Sequence, residues 1–243
     1  KPLNSFLLAL DKMTGKELWL HQRDTDAKEE SLETYSTPIV QTVNGKDEMI
    51  IFGSDHLTGH NPQTGEEIWR YGYSADRKRI DWRTIPTPLA AEGLIFASRP
   101  KNNGLFALKT GLTGTMTDEA VAWQFEKFNP DCSTPLYYDG LLYVLDCIKN
   151  KNPLTCFVPL TGEQKWQGRL EAKEPYRASL TASDGKIYCI DEGGQAIVLA
   201  AGPAEFKILS RIEMGEGPIQ ASIAIANQRL YLRTAQNLYC IGN

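Results

Sequence analysis

The sequence is short of the side chains that carry most enzyme chemistry. Its 243 residues hold three histidines, His21, His56 and His60. The patterns GxSxG, HExxH and GxxxxGK[ST], which mark activated serines, zinc ligands and phosphate loops, are all missing. Five cysteines, at 132, 147, 156, 189 and 240, include no CxxC pair of metal-binding spacing. No apolar run approaches the roughly 20 residues a membrane-crossing helix needs, so no transmembrane segment is expected. The opening KPLNSFLLALD lacks the charged, apolar, small-residue order of a signal peptide. A formal net charge of -4 lacks the Lys/Arg excess of phosphate-binding proteins, so no nucleic-acid partner is expected. An apolar content of 42% with mixed charges excludes disorder and leaves an ordinary globular chain.

What the chain has instead is repetition. LLALDKMTGKELW (7–19) returns as LTGHNPQTGEEIW (57–69) and LTCFVPLTGEQKW (154–166). A second phrase, a Ser/Thr-Pro segment followed by a turn, occurs from Tyr35, Ile85 and Cys132, with weaker copies from Arg177 and Gln220. Its aligned positions Pro38, Pro88, Pro135, Leu180 and Ile223 are 50, 47, 45 and 43 residues apart. A period near 47 residues points to a repeat architecture.

Each unit reads as four short strands. The first is the Thr-Pro segment. The second follows a turn at Asn44-Gly45, Glu92-Gly93, Asp139-Gly140 or Asp184-Gly185, pairs suited to left-handed backbone in a tight hairpin. The third turns at Thr-Gly and the fourth ends at Trp. Four-stranded units repeated around an axis make a β-propeller, an all-β fold of antiparallel blades. The repeats fall at 1–22 (partial), 35–70, 85–124, 132–167, 177–211 and 220–243 (partial), about five blades in one domain over 1–243.

In that fold Trp19, Trp69, Trp123 and Trp166 are the bulky plugs on the outer strands. Gly15, Gly65 and Gly162 permit the turn that aims each Trp, and Thr14, Thr64 and Thr161 bond their own turn backbone. The spacing Ala9-x-Asp11-x-x-Thr14-Gly15-x-x-x-Trp19 resembles the tryptophan-docking motif of the PQQ-like (quinoprotein-type) β-propeller family. That family includes PQQ-dependent dehydrogenases and BamB-like assembly lipoproteins. Fidelity is graded. The second copy has Gly59 and Asn61, the third carries six extra residues within TGLTGTMTDEA (110–120), and the fifth, LAAGPAEFKILS, lacks both Thr-Gly and Trp. The resemblance implies seven or eight blades, of which this chain would be the C-terminal portion, and an exported, periplasmic or cell-surface protein.

For chemistry the resemblance offers one test. Family dehydrogenases carry an adjacent Cys-Cys pair beneath the quinone, a calcium ion on acidic and amide side chains, and a catalytic Asp. No Cys-Cys occurs here and no Asp matches the catalytic one. No cofactor is therefore expected, and a PQQ- and calcium-dependent dehydrogenase is the alternative. DTDAKEESLE (24–33) starts like a calcium loop but puts Lys28 and Glu29 where a ligand and Gly belong. Cys147 and Cys156, flanking one hairpin loop, are the best disulfide candidates. Cys156 and Cys240 hold the small-residue position of Ala9 and read as space-filling thiols. His60 reads as a packed or surface histidine rather than as a ligand.

The crossings between blades are charged. Residues 24–33 carry Asp24, Asp26, Glu29, Glu30 and Glu33 against Lys28. The next crossing carries Arg70, Arg77, Lys78, Arg79 and Arg83 with Trp82 among them. Arg and Trp dominate binding hot spots, so Arg77, Arg79, Trp82 and Arg83 are the candidate site for another protein or a polymer. The competing reading is that the acidic and basic crossings form solvated ion pairs with each other. Tyr35, Arg177 and Gln220, at equivalent positions before the innermost strands, are expected at the mouth of the central channel.

Overall fold

The computed structural model describes residues 5–73, 82–101, 104–126, 130–147 and 153–242. Among these residues no α-helix occurs, and two short 3-10 turns interrupt an all-β chain. In chain order the strands are β1 (Phe6–Leu10), β2 (Glu17–Gln22), β3 (Ile39–Val43), β4 (Lys46–Gly53), β5 (His56–His60), β6 (Glu67–Gly72), β7 (Leu89–Ala91), β8 (Leu94–Ser98), β9 (Leu105–Lys109), β10 (Gly114–Met116) and β11 (Val121–Phe125). They continue as β12 (Leu136–Tyr138), β13 (Leu141–Leu145), β14 (Pro153–Phe157), β15 (Gln164–Arg169), β16 (Thr181–Ser183), β17 (Lys186–Ile190), β18 (Gln195–Ala200), β19 (Ile208–Glu213), β20 (Ala224–Ala226), β21 (Arg229–Arg233) and β22 (Leu238–Ile241).

These strands form six sheets. The first is the pair β1-β2 and the last is β20-β21-β22. Between them lie β3-β4-β5-β6, β7-β8-β9-β11, β12-β13-β14-β15 and β16-β17-β18-β19, each antiparallel in sequence order. The architecture is that of β-propeller blades. The Thr-Pro segments themselves lie just ahead of the inner strands β3, β7 and β12 instead of within them.

Local chemistry explains the hairpins. The turns joining the first two strands of the four complete sheets hold two successive residues at positive φ: Asn44 and Gly45 (50° and 75°), Glu92 and Gly93 (53° and 73°), Asp139 and Gly140 (51° and 74°), Asp184 and Gly185 (53° and 68°). This is the primed hairpin turn whose twist matches the flanking strands. The last sheet makes the same turn with Asn227 and Gln228, without a glycine.

The second and third strands read as nearly unbroken apolar runs because both faces of a sheet are covered. Alternate side chains go to opposite neighbours. Ile95 and Ala97 of β8 pack toward β4 through Ile50 and Phe52, with Tyr71 and Phe106. Leu94 and Phe96 pack the other way, onto Leu142, Val144 and Phe157. Tyr143 and Leu145 then face Ile187, Cys189 and Leu199 of the following sheet. The core is thus a series of layers between sheets, not one central cluster.

The outer edge is held by indoles. Trp19 donates its Nε1–H to Pro62 O (3.2 Å), Trp123 to Pro159 O (2.7 Å) and Trp166 to Gly202 O (2.8 Å), each acceptor lying in the following sheet's turn. A Cβ at Gly65 would sit 2.6 Å from the Trp19 ring, and one at Gly162 would sit 2.6 Å from Trp123. The glycine therefore receives the indole of the preceding sheet, in addition to making its own turn. Within each sheet the residue paired with the Trp is small: Ala9 with Trp19, Gly59 with Trp69, Ala107 with Trp123, Cys156 with Trp166.

Trp69 departs from this scheme, and the insertion explains why. The extra residues of the third copy form β10, which adds in parallel to the outer edge of β6 with Gly114 opposite Trp69. The Trp69 indole donates to Glu48 of its own sheet. Gly59 leaves the room for this, since a Cβ there would lie 2.2 Å from Trp69 Nε1 and from Glu48 Oε1. Burial pushes the Glu48 carboxyl up. In the fifth copy Phe206 substitutes for the lost turn. It meets the Trp166 ring edge-on at 5.7 Å and covers Gly168, where a Cβ would lie 2.0 Å from its ring.

Gly15 and Gly162 share φ = +70°, but a Cβ at Gly15 meets nothing within 4 Å. Gly15→Ala should cost about 1 kcal/mol, the strain of left-handed backbone. Gly162→Ala should cost about 3 kcal/mol because the indole must also move. Urea unfolding of the two variants measures the difference; equal losses would contradict the seating of Trp123 on Gly162.

Candidate functional site

The inner ends of the sheets are tied by a ladder of hydroxyls. The amide of Thr37 donates to Thr87 Oγ1 (3.1 Å), that of Thr87 to Thr134 Oγ1 (3.1 Å), that of Thr134 to Ser179 Oγ (3.0 Å) and that of Ser179 to Ser222 Oγ (2.9 Å). An innermost strand has amides with no strand partner. The neighbouring blade's hydroxyl supplies one acceptor at each step, which explains the Ser/Thr in every repeat.

Just outside this ladder lie the residues expected at the channel mouth. Arg177 sits with its Nε 3.6 Å from Glu192 Oε2 and its Nη1 3.4 Å from Cys132 Sγ. Gln220 donates to Glu192 Oε1 (3.2 Å). Glu192, which carried no signal in the sequence, therefore joins Arg177 and Gln220. Tyr35 is not part of this group: its hydroxyl donates to Glu33 Oε2 (2.6 Å) on the acidic crossing.

The disulfide expectation fails. All five cysteines are free thiols. The register of β13 and β14 places Cys156 opposite Tyr143, four residues from Cys147. At ~3.3 Å per residue that is about 13 Å along the strand, beyond bridging distance. Cys147 instead lies beside Cys132: its Sγ accepts from the amide of Ser133 (3.4 Å), the residue that follows Cys132. Cys156 fills space beneath Trp166, and burial pushes its thiol up to about 11.

The crossing face is built from residues 24–35 and 82–85, joined by a parallel bridge between Thr34 and Thr84 and by Tyr35 N–H to Thr84 O (2.8 Å). Arg77 and Arg79 lie outside the described residues. Arg83 pairs with Glu30 and lies over the Trp82 ring at 4.9 Å, while Lys101 Nζ lies over the same ring at 3.8 Å. One acidic and one basic crossing thus do meet in an ion pair, and that pair flanks a Trp held by two cations. Beside it Leu32 is 64% exposed and Tyr35 59% exposed. A cleft of about 630 Å³ runs from Leu32 and Thr34 down to Phe6, Ile51 and Arg23. Leu32 and Lys101 were not legible as site residues, since a single Leu or Lys in a loop has no pattern.

The cleft floor is a polar clasp between the first two sheets. Arg23 is buried and donates to Thr58 Oγ1 (3.0 Å), Gly53 O (3.0 Å) and His56 O (3.2 Å); burial lowers its guanidinium to about 10. His60 is buried between Gly65 O (3.0 Å from Nδ1) and Thr58 Oγ1 (2.9 Å from Nε2), edge-on to His21 at 5.7 Å. It is a packed histidine. Burial holds its imidazole at about 4, so the neutral form is the folded one. An unfolded His60 takes up its proton near pH 6.5, so between about pH 6.5 and 4 the unfolded chain binds more protons and stability falls as pH falls. The His60 contribution is complete above about pH 6.5 and lost by about pH 4. In His60→Gln that part of the slope should vanish, measured as urea midpoints against pH for both proteins; parallel slopes would refute the assignment.

Residues 4–117 match the family model described as "Outer membrane protein assembly factor BamB". No curated protein sequence matches the chain. Among solved structures, BamB from Moraxella catarrhalis superposes with a TM-score of 0.69 at 16% identity, over 96% of this chain and 65% of that one. The quinohemoprotein alcohol dehydrogenase from Comamonas testosteroni gives 0.69 at 13% identity, over 94% of this chain and 48% of that one. Sqt1 from Saccharomyces cerevisiae gives 0.68 at 11%, over 99% and 67%. The chain thus spans less than two thirds of the BamB structure and about half of the dehydrogenase. Repeats, sheets and superpositions agree on the fold: the chain is a β-propeller, and its residues 4–117 are similar to the matched family.

Proposed function

We propose that this propeller is a non-catalytic, exported binding module that takes another protein on the face formed by residues 24–35 and 82–85. The observation that carries the reading is the juxtaposition of exposed Leu32 and Tyr35 with Trp82, which is flanked by Arg83 and Lys101. Large apolar side chains rimmed by charge are the usual composition of a protein-binding patch. The assembly-factor description of the matched family model supports both a protein partner and export. No helix among the described residues is long and apolar enough to cross a membrane.

On this reading the chain is part of a seven- or eight-bladed ring. Apolar side chains exposed on its first and last sheets, among them Leu8, Leu18, Leu20 and Leu238, support further blades against them.

The dehydrogenase alternative requires a calcium-binding donor set. Among the described residues no three His, Cys, Asp or Glu side chains converge as a metal site requires, and no two cysteines are adjacent in sequence. The missing Cys-Cys pair supports the non-catalytic reading over this alternative.

The test is photocrosslinking from position 32 or 82 in cells that make the full-length protein, followed by affinity measurement with the captured partner. Leu32→Ser with Trp82→Ala should weaken that affinity at least tenfold, as expected for hot-spot residues, with the melting temperature changed by no more than a few degrees. Unchanged affinity would remove this face from the reading. Calcium-dependent dye reduction by the protein supplied with PQQ would replace the reading altogether.

A further inference from the structure

The channel mouth contains the one pair of thiols in contact among the described residues. Cys132 lies at the rim position that Tyr35, Ile85, Arg177 and Gln220 occupy in the other repeats, and it is partly exposed. Cys147 lies just past β13 and is buried beneath it. The amide of Ser133 donates to Cys147 Sγ (3.4 Å), and Arg177 Nη1 lies 3.4 Å from Cys132 Sγ. Glu192 holds that guanidinium in place from the far side, and Gln220 holds Glu192. A partly exposed sulfur beside a cation, backed by a second sulfur that accepts from an amide N–H, is the arrangement of a reactive dithiol. The remaining described thiols differ: Cys156 and Cys189 are deeply buried among apolar side chains, and Cys240 lies on the outer edge of the last sheet.

We infer that Cys132 and Cys147 are a redox-active dithiol at the mouth of the channel, oxidised by low-molecular-weight disulfides, with Cys132 as the attacking sulfur, Cys147 as the resolving sulfur and Arg177 as the positioning cation. The Cys132 thiolate attacks one sulfur of the disulfide RSSR; a Cys132–SR bond forms, the S–S bond of RSSR breaks and RS⁻ leaves. Cys147 gives its proton to solvent and attacks Cys132 Sγ. The Cys132–Cys147 bond forms and the second RS⁻ leaves. Two protein thiols lose two electrons and two protons, and RSSR becomes two RSH. Neighbouring Cys147 and then Arg177 hold the Cys132 thiol below the ordinary thiol range, against burial and Asp131. The closed disulfide would join the two ends of the β12-β13 hairpin next to the hydroxyl of Ser133, and so stiffen the rim at one blade.

The experiment uses the reduced full-length chain, oxidised glutathione as the probe, an acid quench, maleimide blocking and peptide mapping. The expected product is a Cys132–Cys147 cross-link with the other three cysteines still blocked by maleimide. Cys147→Ser should accumulate glutathione on Cys132, Cys132→Ser should take up none at Cys147, and Arg177→Gln should slow uptake at Cys132 about fivefold at pH 7. A wild-type protein that keeps glutathione on Cys132 with no internal bridge would overturn the pairing. Uptake at Cys132 no faster than at Cys240 would overturn the role of the site. Both readouts come from the wild-type chain and stand whether or not the variants fold.

Discussion

Everything in this protein depends on the covering of one sheet by the next. A four-stranded sheet with two apolar faces has no stable existence in water, so each blade is completed by its neighbours. Burial drives this, at about 25 cal/mol per Å² of apolar surface, but burial alone does not set where the sheets stop sliding. Two polar devices do. At the outer edge the Nε1–H of Trp19, Trp123 and Trp166 reaches a carbonyl of the next turn. At the inner edge the Thr37–Thr87–Thr134–Ser179–Ser222 ladder joins strand ends amide to hydroxyl. Unmet, each of these buried or half-buried groups would cost about 1–3 kcal/mol, so register is specified at both radii.

Where the outer device is missing, the chain repairs it with local means. At Trp69 the following copy carries an insertion around its Thr-Gly turn. The insertion pairs as β10 with the exposed edge, and the indole turns inward to Glu48 over Gly59. At the fifth copy Phe206 and the Gly202 carbonyl take the place of the lost turn. Both repairs keep the ring volume beside the Trp filled, which is the quantity packing selects.

The candidate binding surfaces lie where these constraints end. The crossings from outer to inner strand owe nothing to blade packing, which is why they can carry Leu32, Trp82 and a run of charges. The rim positions before the inner strands are similarly free, and they differ in every repeat: Tyr35, Ile85, Cys132, Arg177 and Gln220. The hydroxyl ladder below them is constant, so the rim is a fixed platform on which variable side chains are brought together.

The repeat period, the primed turns and the small residue opposite each Trp were all legible in the sequence, because each is a local relation within some 15 residues and recurs from copy to copy. Side chains joined between copies were not. Nothing in the chain order ties Glu192 to Arg177, Lys101 to Trp82, or Arg23 to Thr58. The Cys147–Cys156 expectation went wrong for the same reason. Both residues flank one loop, but strand register is decided by which faces are buried, and it set them four residues apart while the inter-strand crossing carried Cys132 to Cys147. By itself the sequence determined the fold, since alternation, turn chemistry and period are short-range properties that repeat. Tertiary structure alone decided which loop side chains meet, because those contacts arise from the angle between successive blades and leave no periodic trace.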